Sequence, residues 1–255
     1  MPEIFDPSTL DVDYCIFTVE GTGDEYNSLD WMLILTNCEV GDALARRYEV
    51  EVPGRDGKLD MSEALGGVYF ENRRIELTFA CINYTTQRHM LLASTVRNAI
   101  DGKLCRVSIS SDIGYFWRGR CQVDATRPGM QYSELVVTVD AEPYKYDTVS
   151  SYDAWQWDPF SFVSGVIVQV EDVVLNNETK SVTLPRDPAR GKPILWLNSG
   201  GSGSVSAKTS GDNAWHLLRS GKNVIPEVRM SATAETTLML KGTGTVGIEY
   251  RIGSL

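Results

Sequence analysis

"EVEVPGRDGKLDMSEALGGVYFENRRIELTF", residues 49–79, holds strand-like runs around a loop rich in special chemistry. Val50 and Val52 alternate with Glu49 and Glu51, and Ile75, Leu77 and Phe79 alternate with Arg74, Glu76 and Thr78, which is the period-two pattern of strands. Between them Pro53 fixes the direction of approach, Gly54 and Gly57 allow tight or positive-φ turns, and Arg55 and Asp56 offer opposite charges outward. The stretch predicts β-structure carrying a shaped connector rather than a plain turn.

Outward from it, apolar or alternating runs bounded by Gly, Pro, Asn and Asp predict strands at 12–18, 31–37, 46–52, 68–70, 74–81, 104–109, 115–124 and 134–140. One segment breaks the pattern. In "TTQRHMLLASTVRNAI", residues 85–100, Leu92, Val96 and Ile100 recur at four-residue spacing beside Ala93 and Ala99, the stripe of an amphipathic helix. Asp101-Gly102 ends it, with Gly102 as the C-terminal cap. A β-sandwich carrying one helix is the economical expectation for this half. Pro143 in "AEPYKY" is expected to end the last strand, since it cannot donate to a central ladder.

Beyond it the composition changes. "DTVSSYDAWQWDPFSF" is polar and then dense in aromatics, so the boundary is placed there, giving units 1–148 and 149–255. The second unit repeats short strands at 162–170, 180–184, 194–198, 204–208, 214–218, 223–228, 236–241 and 246–252, a sandwich or jelly-roll rhythm. "SGGSGSVS", residues 199–206, is expected to be a hairpin loop, and "GTGTVG", residues 242–247, a glycine-rich turn. The latter matches a dinucleotide fingerprint only formally, because the chain ends eight residues later without the required helix and acid.

Net charge is −10, and it is uneven: residues 1–148 carry 24 Asp/Glu against 14 Lys/Arg, while 149–255 carry 10 of each. Phosphate-backbone affinity comes from Lys and Arg, so nucleic acid is an unfavoured ligand. The start, "MPEIFDPSTLDVDY", reads as neither a secretory signal nor a transit peptide, and the longest apolar run, residues 31–35, is too short for a bilayer. Synthesis in the cytoplasm and solubility are therefore expected, and the sequons at Asn83 and Asn177 carry no weight. Cys15, Cys38, Cys81, Cys105 and Cys121 lack a CxxC pair and read as free thiols.

Enzymatic chemistry finds little support. His89 and His216 are the only histidines, and neither sits in a nucleophile or zinc motif, so no catalytic residue, metal or cofactor is assigned. Asp153 and Asp158 flank the aromatic stretch, and a glycosidase using them is the third reading. Tyr152, Trp155, Trp157, Phe160 and Phe162 serve either as glue between the units or as sugar-stacking rings.

Four segments taken in order carry a resemblance. "VPGRDGKLDMSEALGGVYFENRRIELTF", the helix, "IDGKLCRVSISSDIGYFWRGRCQV" and "AEPYKY" resemble the distal tail proteins of long, non-contractile-tailed phages. The match covers residues 30–146 and rests on Pro53, Gly54, Arg55, Asp56, Gly57, Asn72, Arg73, Gly102, Lys103, Gly119, Arg120, Pro143 and Tyr144. It implies a mainly β protein with an N-terminal belt domain, a β-sandwich with one helix that forms a six-fold ring at the tail tip. A galectin-like or carbohydrate-module-like sandwich follows. It also implies a non-enzymatic virion protein joining the tail tube and tape measure proteins to hub or baseplate proteins. A closed ring needs two complementary faces per subunit. Arg55, Asp56, Arg73, Arg74, Arg118 and Arg120 are the candidate assembly residues, with pairing to Asp56, Glu71 and Glu76 in the same chain as the competing expectation. The alternative function is a module gripping host cell-surface saccharide through Trp155, Trp157, Trp196 or Trp215.

Overall fold

A computed structural model of the chain describes residues 12–64, 67–81, 85–124, 133–152 and 172–255, together with the backbone of 160–161 and 166–167. The chain divides into two compact units, Met1–Lys145 and Tyr146–Leu255. Both are built mainly of strands.

The first unit opens with β1 (Cys15–Val19) and β2 (Glu25–Asn27), and a 3-10 helix at Ser28–Trp31 then leads into β3 (Leu33–Val40). The predicted strand at 31–37 therefore starts later, because Asn27 accepts from Leu29 N–H and caps a helical turn first. A short hairpin, β4 (Glu49–Glu51) with β5 (Lys58–Asp60), precedes β6 (Arg73–Cys81); helix α1 (Thr86–Ile100), β7 (Leu104–Ile109), β8 (Tyr115–Asp124) and β9 (Glu134–Asp147) follow. The strand expected at 68–70 is a single bridge, Ala45 with Phe70.

The main sheet runs β2-β1-β7-β8-β9-β6-β3. Along β1, β7 and most of β6, β8 and β9 alternate residues are buried, for example Ile75, Leu77 and Phe79 on β6 and Leu135, Val137 and Val139 on β9. The sheet is strongly curled. Phe17 on β1 and Phe79 on β6 are separated by three intervening strands, about 19 Å across a flat sheet, yet their rings lie 6.3 Å apart. Into this concave face α1 buries Leu92, Ala93, Val96, Ala99 and Ile100, the predicted stripe. Thr85 caps the helix start by accepting from Arg88 N–H. Its end turns through Asp101 and Gly102, whose φ of +68° lets Lys103 N–H reach Ile100 O in a type II turn.

Strand β9 continues through Pro143 to Asp147, contrary to expectation. Its pairing with β6 stops at Ala141 opposite Arg73, so the proline lies past that ladder and removes no bond from it. The last residues, Tyr146 and Asp147, belong to the second unit, where Asp147 N–H donates to Ile252 O.

The second unit contains β10 (Phe160–Ser161), β11 (Val166–Ile167), β12 (Val173–Leu184), β13 (Ile194–Ser199), β14 (Val205–Thr209), β15 (His216–Leu217), β16 (Gly221–Val224), β17 (Thr236–Glu249) and β18 (Gly253–Ser254). Strand β17 organises it. β12 pairs with it along one side, while β14 pairs with 238–242 and β13 with 245–249 on the other. Two sequence expectations are corrected here. "GTGTVG" is no turn, and its Gly242 and Gly244 sit inside one continuous strand at φ of +133° and +153°. A Cβ on them would stand 2.0 Å from Ser204 O and 2.3 Å from Ser199 O, so glycine admits the crossing chain. "SGGSGSVS" is likewise no hairpin. Because β13 and β14 run the same way along one side of β17, it is an excursion between two collinear strands. Residues from both halves of β17, Leu238 and Leu240 with Val246 and Ile248, share one buried core.

Candidate assembly surface

Between the end of β3 and the start of β6 the described chain, residues 41–64 and 67–72, leaves the sheet as an arm. Its base is laddered by Gly41 N–H to Arg74 O at 2.8 Å, Glu71 N–H to Leu44 O at 2.8 Å and Arg46 N–H to Tyr69 O at 2.7 Å. Further out Met61 N–H donates to Tyr48 O, and β4 pairs with β5 in the register Glu49↔Asp60, Val50↔Leu59, Glu51↔Lys58. The VPGRDG loop is the tip. Pro53 and Gly54 form a type II turn closed by Arg55 N–H to Val52 O at 3.2 Å, with Gly54 at φ +81° and Gly57 at +74°.

Directly paired residues of a hairpin share a face, so Tyr48, Val50 and Val52 lie with Leu59 and Met61, while Glu49, Glu51, Lys58 and Asp60 occupy the opposite face. The charged face is internally paired, Lys58 Nζ lying 3.6 Å from Glu49 and 3.9 Å from Glu51. Among the described residues the apolar face covers no buried core. No described residue of the arm is buried, and Leu44 and Tyr48 are 64% and 66% exposed. The signal was present in the sequence as the alternation through residues 49–52, but alternation does not reveal that the inward side lacks a core.

The six candidate assembly residues divide. Arg55 and Asp56 stand exposed at the tip, with no side-chain ion pair among the described residues. Arg118 is clamped inside its own chain: its Nε and Nη2 each donate to Glu20 at 2.8 Å, and its Nη1 meets Glu142. Glu20 also accepts from Arg106 at 3.3 Å, and these hydrogen bonds, Arg118's foremost, hold its carboxyl below the ordinary 4.5. Arg74 pairs with Glu76 at 2.9 Å, the one expected intrachain acid partner seen for it, and Arg120 donates to Gly102 O. Arg73 lies over the Trp117 ring at 4.8 Å.

Of the candidate tryptophans only Trp196 and Trp215 fall among the described residues. Trp155 and Trp157, with Asp153 and Asp158, lie outside the described residues. Trp215 precedes β15, and Lys208 Nζ sits 5.1 Å from its ring centroid. Trp196 on β13 is the better built. Its ring is parallel to Tyr152 within 9° at 6.4 Å, and its Nε1 donates to Glu249 at 2.8 Å. Gly247, the register partner of Trp196, makes room, since a Cβ there would stand 2.3 Å from the Tyr152 ring. Asn198 Nδ2 donates to Tyr152 Oη at 2.7 Å. Sequence reasoning missed Asn198 and Glu249, which nothing in their spacing marks.

His89 is buried against Ser133 Oγ, and His216 pairs with Asp212 at 2.6 Å. All five cysteines are free thiols. Among the described residues no group of His, Cys, Asp and Glu could hold a metal, and no helix is long and apolar enough to cross a membrane.

These features define a two-unit, mainly β protein with a curled, helix-filled sheet and an uncovered arm. Its fold has a counterpart among solved structures. The chain resembles the crystal structure of SPP1 Dit (gp 19.1), described as a paradigm of the hub adsorption apparatus in phages infecting Gram-positive hosts. The TM-score is 0.56 at 10% identity, over 96% of this chain and all of that one. The phage P2 baseplate in its activated conformation with Ca is similar over 96% of this chain and 99% of that one, with a TM-score of 0.45 at 10% identity. No family model and no curated protein matches the sequence.

Proposed function

We propose that this chain is a structural, non-enzymatic protein of a phage tail tip, a distal tail protein made in the host cytoplasm. It assembles as a six-fold ring between tail tube and tape measure proteins on one side and hub or baseplate proteins on the other. The first unit is the ring-forming belt; the second is a galectin-like sandwich. The observation that carries this reading is the uncovered apolar face of the arm. A hairpin with one apolar and one charged face and no core beneath it is stable only where something covers it, and a second copy does so. Because arm and sheet are different surfaces, such a contact is heterologous and closes into a ring when its rotation permits.

Light scattering and negative-stain imaging of the full chain test the reading. A ring of six 28.3 kDa chains is a particle of about 170 kDa. Tyr48→Asp and Val50→Asp place charge on the apolar face and are expected to leave monomers with unchanged circular dichroism. Arg55→Ala, at the exposed tip, weakens assembly without unfolding the chain. A wild-type protein that stays monomeric at every concentration, with no ring in stain, overturns the proposal.

A second reading, binding of host cell-surface saccharide, is favoured by the Tyr152–Trp196 pair, a parallel aromatic shelf flanked by Asn198 and Glu249. Flat rings beside amide and carboxylate groups suit the apolar face and hydroxyls of a sugar. Binding on a glycan array that is lost in Trp196→Ala supports it; binding that survives the substitution removes this shelf from the account.

A further inference from the structure

Arg73 begins β6 and shares the parity of Ile75, Leu77 and Phe79, so it belongs to the core side of the sheet, at the rim where the arm departs. Its guanidinium rests on the Trp117 ring, and both Arg73 Nε and Trp117 Nε1 are buried with no hydrogen-bond partner among the described residues. Burial pushes the guanidinium's pKa down, and Asp42 opposes this through its charge without forming an ion pair. The neighbouring arginines of the sheet differ. Arg74 meets Glu76, and Arg106 and Arg118 both meet Glu20. In the single chain this partly desolvated cation is balanced only by the indole face beneath it and by the charge of Asp42 at a distance, with no carboxylate bonded to it among the described residues.

We propose that Arg73, braced on Trp117, is the socket for a carboxylate presented by a second copy of this chain. The inference rests on the ring reading and names one of its contacts. Two observations favour a second copy as the source of the acid. The first unit is itself acidic, with 24 Asp/Glu against 14 Lys/Arg in residues 1–148. The arm whose apolar face needs a covering copy also leaves the sheet beside this residue, Gly41 being bonded to Arg74. Packing on the indole holds the guanidinium plane, so its terminal nitrogens meet a carboxylate as a ready fork, which a lysine cannot do.

Arginine modification with phenylglyoxal, read by peptide mass spectrometry on the full chain across a concentration series, tests the socket directly. Arg73 is expected to react in the monomer and be protected in the ring, with exposed Arg186 of the second unit as reference. Arg73→Met keeps the packing on Trp117 and removes the charge. It is expected to raise the concentration needed for assembly by about tenfold or more, with the monomer's melting temperature unchanged or higher, and Arg73→Lys recovers only part of the loss. A reactive Arg73 in wild-type rings, or Arg73→Met assembling like wild type, overturns the socket while leaving the ring reading intact. A melting temperature that falls by several degrees in Arg73→Met makes Arg73 an internal brace and equally overturns it. A wild-type chain that never assembles overturns the ring reading itself.

Discussion

Glu20 shows how a single acid can tie three strands together. It sits at the end of β1, accepts two bonds from Arg118 of β8 and one from Arg106 of β7, while Arg118 reaches on to Glu142 of β9. The folded state lowers the Glu20 pKa, so the carboxylate contributes stability above its ordinary value of 4.5, and that contribution is lost as pH falls through the lower folded value. Glu20→Gln is expected to cost about 1 kcal/mol near neutral pH, a modest figure because the cluster is part-exposed. The cost shrinks toward zero on acidification, as measured by urea unfolding across pH. A gap that stays constant into acid means Glu20 acts through packing alone. Asp187 is a buried counterpart in the second unit. Fully covered, it accepts N–H groups from Ala189 at 3.1 Å, Gly191 at 2.6 Å and Gly253 at 2.9 Å, and burial still pushes its carboxyl upward. Asp187→Ala strands those donors and is expected to destabilise the protein by about 3 kcal/mol or more, measured by denaturant unfolding. Neither acid was legible in the sequence, where each is one carboxylate among many; their roles arise from contacts across long separations.

At the scale of elements, legibility followed local physics. The limits of β7 and β8 and the buried stripe of α1 could be read directly, because period, flanking turn residues and burial all agree there. The arm was half legible: β4 and the tip turn follow from alternation and from Pro53-Gly54, whereas β5 at Lys58–Asp60 was missed, its three residues being too short a run to read, and the exposure of Tyr48 and Val50 depends on where the sheet ends. Strand β17 was the clearest failure. Glycine normally interrupts strands, so Gly242 and Gly244 looked like a break, yet they let Ser199 and Ser204 approach a strand that runs on through them. Gly244→Ala forces a β-carbon to within 2.3 Å of Ser199 O at a φ of +153°. The expected cost is about 3 kcal/mol in unfolding free energy, and a near-neutral result would show that the 200–204 excursion can move aside.

Two separate cores hold the whole molecule, one assembled from strands and helix between Cys15 and Ala141, the other between Leu175 and Ile252. Each contains fully buried leucines, Leu77 in the first and Leu240 in the second. Truncating either to alanine is expected to cost about 2–5 kcal/mol and to lower the melting of its own unit. That assigns any two thermal transitions to the two units. Assembly then separates them further, because association stabilises only what takes part in it and does so by mass action. If the arm and its sheet form the ring, the transition lowered by Leu77→Ala rises with protein concentration, while the one lowered by Leu240→Ala holds still. Scanning calorimetry over a concentration series reads both at once. Tyr48→Asp should abolish the concentration dependence without moving the second transition, and a second transition that climbs instead would assign the assembly contact to the C-terminal sandwich.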